Sequence, residues 1–118
     1  MKVESISTVL RESGIHTFIP LAFPSDTDIG SVVDVTGGTA TRGGVRKVSL
    51  GIVTREQHPA VAIAKAHEIN KYLQENLKGA FFDGFAVLQI EPDTPEPLYI
   101  GEENGLYTVS WNYTILEG

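Results

Sequence analysis

No cysteine occurs in the chain. Disulfides, thiolate metal sites and cysteine nucleophiles are therefore excluded, and a reducing compartment is compatible with that absence. No apolar run approaches the roughly 20 residues that span a bilayer. No positively charged start leads into an apolar stretch, so no signal peptide is expected. Positive charge is scarce: 9 Lys and Arg stand against 15 Asp and Glu, for a net charge of −6. The basic residues form no run, which argues against a general nucleic-acid binder with a basic face. Internal repeats are also lacking. The 118 residues, 42% of them hydrophobic, suit one domain over residues 1–118.

What the chain does have is a loop of small residues, Thr36-Gly37-Gly38-Thr39-Ala40-Thr41-Arg42-Gly43-Gly44. It separates two β-rich runs, Ile29 to Val35 and Val45 to Thr54. Ordering such a loop costs roughly 1–2 kcal/mol of backbone entropy per residue, with nothing large to bury in return. A connection this long between strands usually has a use. Gly38 and Gly43 match the outer glycines of a phosphate-binding loop, but Gly44 and Val45 stand where Lys and Ser or Thr are needed. The loop also leads into a strand, where no helix dipole could hold a phosphate. A small nucleotide-binding domain remains an alternative. The other reading is an arm that orders only against a partner.

Around the loop, periodicity predicts an α+β fold. Val3 to Glu12 has helical spacing, stopped by Gly14. Ile15 to Phe23 reads as a short edge strand, because Pro20 cannot donate to an interior ladder. Pro59 to Leu77 is the long helix, with Ala62, Ala66, Ile69, Leu73 and Leu77 as its apolar stripe. Phe85 to Ile90 is a strand, and Glu91 to Pro97, with three prolines, is irregular. Leu98 to Ile100 and Leu106 to Leu116 form a hairpin around Glu102-Glu103-Asn104-Gly105. Tyr107, Val109, Trp111, Tyr113 and Ile115 alternate on one face and are expected in the core. The expectation is a mostly antiparallel sheet crossed by one long helix, with a short N-terminal helix.

No catalytic constellation is visible. His16, His58 and His67 lack metal-ligand spacing. His58 is placed at the start of the long helix and His67 on its solvated side. A triad using Ser49 or Ser110 with a histidine lacks any nucleophile-elbow pattern. Glu91, Asp93, Glu96, Glu102 and Glu103 lack calcium-loop periodicity and read as a solvated loop or an acidic rim. Arg42, Arg46 and Lys47 gather where the loop enters the long strand, and Arg55 closes that strand. Surface solubility and interface contact are both open for them. No catalytic residue, cofactor or metal is expected.

Three segments, in this order, resemble one family. They are Phe23-Pro24 with Val35-Thr36-Gly37-Gly38; Gly51-Ile52-Val53-Thr54-Arg55 with Pro59-Ala60 and a helix bearing Ala66, Glu68-Ile69 and Leu73; and Pro97-Leu98-Tyr99-Ile100-Gly101 with Asn104-Gly105-Leu106-Tyr107 and Asn112-Tyr113. Together they resemble the phage minor capsid proteins that act as tail terminators in long-tailed bacteriophages and prophages. Where that family often has aspartate and arginine around the hairpin tip, this chain has Glu102 and Leu106. The resemblance runs from about Phe18 to Ile115. It implies a structural α+β subunit of the virion, assembled in a bacterial cytoplasm into a ring, typically a hexamer. That ring would cap the tail tube, stop its polymerisation and meet the head–tail connector protein. DNA would pass through without specific binding, and no membrane or catalysis is involved. The assembly loop is then Thr36 to Gly44, with Arg46, Lys47 and Arg55 as interface charges. Another neck or head–tail joining protein of similar fold is the nearest alternative.

Overall fold

The computed structural model describes residues 1–25, 28–37 and 42–118, for Arg42 the backbone only. Among the described residues two helices and seven strands follow one another as α1 (Val3–Glu12), β1 (Phe18–Pro20), β2 (Gly30–Thr36), β3 (Arg46–Glu56), α2 (Pro59–Asn76), β4 (Phe81–Phe82), β5 (Phe85–Pro92), β6 (Leu98–Glu103) and β7 (Leu106–Glu117). A 3-10 turn, Arg42–Gly44, precedes β3. The fold is α+β, and its sheet is antiparallel except for the β1–β2 pair.

The alternation in β7 makes it the spine. One side pairs with β3 over its whole length, from Glu56↔Tyr107 to Arg46↔Glu117. The other side is shared by β5, against Tyr113 to Glu117, and β6, against Leu106 to Ser110. Beyond β3 come β2 and then β1 at the far edge. Pro20 is thus on an edge, as its missing N–H requires. The expected strand is shorter than Ile15 to Phe23, and its partner is parallel.

Val48, Leu50 and Ile52 of β3 and Val109, Trp111, Tyr113 and Ile115 of β7 are all buried. They meet Ala62, Ala66, Ile69 and Leu73 on the inner side of α2 and Leu77 at its C-cap, each at most 5% exposed. Tyr107 belongs to the same alternation but is only half-buried, since it lies near the tip. Ile6 and Leu10 of α1 complete the core. Fully burying side chains of this size contributes about 1.5–3 kcal/mol each. Among the described residues the opposite face of the sheet carries no helix, and Asp34, Lys47, Ser49 and Asn112 are exposed there.

Two hairpins have two-residue turns with both central residues at positive φ. Asn104 (54°) and Gly105 (76°) join β6 to β7, and Asp83 (51°) and Gly84 (86°) join β4 to β5. Such turns match the right-handed strand twist, and Asn-Gly and Asp-Gly supply them. The first is tighter than the four-residue loop expected, so Glu102 and Glu103 belong to β6. The second was not anticipated. β5 also runs to Pro92, which pairs with Tyr113 from an outer edge. Only 93–97 interrupts the ladder before β6 resumes it.

Candidate functional site

The loop that carries the assembly expectation leaves the sheet after Thr36↔Ser49, the last β2–β3 pair. Thr36 and Gly37 are exposed. Gly38, Thr39, Ala40 and Thr41 lie outside the described residues, as does the Arg42 side chain. Gly43 and Gly44 both have φ of 77°, and among the described residues no atom beyond their chain neighbours lies within 4 Å of where a Cβ would be. Their cost to replacement is therefore in the backbone and not in packing. As expected, the loop enters β3 and not a helix.

The three cations expected at an interface separate. Arg46 and Lys47 are adjacent and so face opposite sides of the sheet. Arg46 pairs through Nη2 with the Glu117 carboxylate, which is 1% exposed, and its guanidinium sits 4.0 Å from the centre of the Phe85 ring. The Met1 amine is 3.2 Å from the same Glu117 oxygen. Arg46 thus neutralises a buried carboxylate while its own side chain stays 40% exposed. Lys47 is exposed on the polar face, beside a depression of about 350 Å³ lined with Gln89, Glu91, Thr114 and Leu116. Arg55 lies nine residues along β3, about 30 Å away at strand rise. It stacks 3.8 Å over the Phe23 ring and donates Nη1–H to the Ser25 carbonyl at 3.1 Å.

A second hollow on the open face, about 190 Å³, is bordered by Asp34, Ser49, Asp93 and Asn112. Its floor is Gly51, where a Cβ would lie 3.1 Å from Asn112 Oδ1. Asp93 accepts the Thr114 hydroxyl at 2.6 Å. Glu96 pairs with His67 at 3.1 Å, and Glu102 accepts the Gly105 N–H at 2.7 Å. The acidic region is therefore ordered by local partners.

Each histidine has a place. His58 caps α2, its Nδ1 accepting the Ala60 N–H at 3.2 Å. His67 is not merely solvated: its ring meets Trp111 edge-on at 5.2 Å. His16 was assigned no partner from sequence, yet it sits in a buried polar chain. Its Nε2 is 2.6 Å from Glu56, its Nδ1 2.8 Å from Ser31 Oγ, and that oxygen is 3.0 Å from Thr54 Oγ1. The acid–imidazole–hydroxyl order mimics a hydrolytic triad. However, Ser31 is 0% exposed, so no reactant reaches its hydroxyl. The chain acts as a clamp tying the α1–β1 connection to β2 and β3. Neither Ser49 nor Ser110 has a histidine partner among the described residues, so the serine at a histidine is Ser31. The 15- and 40-residue separations of this network leave no local signal.

Among the described residues no group of three or more His, Asp or Glu could hold a metal ion. No helix among them is long and apolar enough to cross a membrane. No family model matches the chain, and no curated protein matches it.

Proposed function

We propose that the chain is a phage or prophage tail terminator, a structural subunit of a ring, a hexamer being what the resemblance implies. The observation that carries the reading lies in the third segment of that resemblance. Leu98, Tyr99 and Ile100 of β6 are 51%, 54% and 62% exposed on a strand whose outer edge has no partner among the described residues. Natural edge strands are normally blunted by charge or cover, and an apolar strip left bare suits a subunit whose edge is covered in an assembly. In the virion the ring would cap the tube protein, contact the connector and let DNA through. Net negative charge favours sliding over sticking.

The loop Thr36 to Gly44 is the segment proposed to meet the tail. Arg42→Ala should leave subunit stability within about 0.5 kcal/mol, as surface changes usually do, while weakening assembly. Electron microscopy of virions made without the protein is the direct test. Over-long tails are expected. Normal tails detached from heads would transfer the chain to a head–tail joining role. A shift of several degrees in melting with a nucleotide and a divalent metal would instead favour the nucleotide-binding alternative.

A further inference from the structure

The asparagines of the chain are Asn70, Asn76, Asn104 and Asn112. Asn70 and Asn76 lie in α2 and are followed by Lys71 and Leu77; Asn112 lies within β7 and is followed by Tyr113. Asn104 alone precedes a glycine, and it alone lies in a turn, where it and Gly105 are both exposed to water. Glycine brings no Cβ, so its backbone nitrogen can approach the preceding side-chain amide closely. The folded hairpin holds that nitrogen away. Asn104 and Gly105 have φ of 54° and 76° and close a two-residue turn beside the Glu103↔Leu106 pair. In a turn of that kind ψ of the first residue is about 30–45°, which sets Cβ nearly opposite the following nitrogen. Closing a five-membered imide needs the two on one side. Glu102 reinforces the separation, because its Oε1 accepts the Gly105 N–H at 2.7 Å. The nitrogen must shed that proton to attack, and a carboxylate beside it disfavours the negative charge that develops.

We propose that Asn104 is a deamidation site that the folded hairpin restrains through Glu102. The Gly105 nitrogen bonds to Asn104 Cγ, the Cγ–Nδ2 bond breaks, and the amide nitrogen leaves as ammonia with the proton from Gly105. Water then opens the cyclic imide at either carbonyl, giving aspartate or iso-aspartate at position 104. Nothing is oxidised or reduced, and neither step depends on a role in a virion. The matching turn, Asp83-Gly84, is held back by other means. Its carboxylate is occupied by the Lys2 N–H at 2.8 Å and the Ser5 hydroxyl at 3.1 Å, and an ionised carboxylate is a poor electrophile. The two products at 104 differ in effect. Aspartate keeps the turn and adds a charge next to Glu102 and Glu103. Iso-aspartate routes the main chain through Cβ, which lengthens a turn whose length fixes the β6–β7 register. β6 has β7 as its one partner among the described residues, so the strand bearing Leu98, Tyr99 and Ile100 loosens.

Incubation of the full chain in warm, mildly alkaline buffer, followed by peptide mass mapping and enzymatic methylation of iso-aspartate, reads the reaction directly. Conversion is expected at Asn104 ahead of Asn70, Asn76 and Asn112, and faster in urea than in the folded protein. Glu102→Ala should speed the folded rate about fivefold, the equivalent of one exposed hydrogen bond. Glu102→Gln keeps an acceptor oxygen without the charge and should give a rate between the two, which also covers the case in which alanine loosens the whole hairpin. In urea the wild-type and variant rates should converge. Conversion at Asn104 no faster than at the other asparagines overturns the site. An unchanged or slower folded rate in both Glu102 variants, or a difference that persists undiminished in urea, overturns the restraint by Glu102.

Discussion

The Trp111 indole N–H donates to the Thr94 carbonyl at 3.0 Å, so the only tryptophan of the chain anchors the segment that interrupts the β5–β6 edge. His67 presses on the same ring and holds Glu96, which adds a second tie between α2 and that segment. Trp111→Phe should therefore cost about 1–3 kcal/mol, combining a smaller buried ring with an orphaned acceptor. Urea denaturation measures the loss. Amide exchange should quicken first over residues 93–97, and unchanged exchange there would argue against the anchor.

Neighbouring cations should behave differently. Arg46→Ala leaves the buried Glu117 without its guanidinium partner and should destabilise by about 1–3 kcal/mol, less than a fully buried pair because Arg46 is part-exposed. Lys47→Ala, one residue on, should stay within about 0.5 kcal/mol. Chemical denaturation of the two variants side by side checks the contrast, and equal effects would contradict it.

Asp83 caps a helix from another element. Its carboxylate accepts the Lys2 backbone N–H at 2.8 Å and the Ser5 hydroxyl at 3.1 Å, at the start of α1. The Lys2 N–H holds its pKa below the ordinary aspartate value, against a weaker opposing effect of desolvation, and the Ser5 hydroxyl adds a smaller lowering. A depressed folded pKa contributes stability that is present above the unfolded value, about 4, and is lost as pH falls through the folded one. The melting temperature of the wild type should drop more than that of Asp83→Asn between neutral pH and pH about 3. Parallel curves would refute the cap.

Tyr113 is 1% exposed, and its hydroxyl has no hydrogen-bond partner among the described residues. Tyr113→Phe should be neutral or stabilising by up to about 1 kcal/mol, because it removes an unsatisfied buried group. Burial pushes the phenol pKa up. Its contribution is therefore complete below the unfolded value, about 10, and declines as pH rises beyond it. The Phe variant should lack that alkaline decline in a thermal melt taken across pH 8 to about 11.

Much of the architecture was legible because it rests on period. The Ala62–Leu77 stripe and the alternation from Val109 to Ile115 report burial directly, and both faces lie where the pattern put them. The separation of Arg46 from Lys47 was readable too, since neighbours on a strand point apart, but gathering them by proximity in sequence concealed it. The Asp83-Gly84 turn was a plain hairpin signal between aromatic residues that the glycine loop overshadowed. The His16 clamp had no such signal. It depends on a parallel β1–β2 pairing and on β3 register, which only the assembled sheet provides.

The strand at the centre of the sheet, β7, comes after the other six described strands in chain order. Until it leaves the ribosome, β3 lacks its inner neighbour, and β5 and β6 have nothing to pair with on that side. Long-range pairing of this kind slows folding. A chain cut short before β7 would have neither a completed core nor a β6 edge, so prematurely terminated products would be excluded from any assembly that uses that edge.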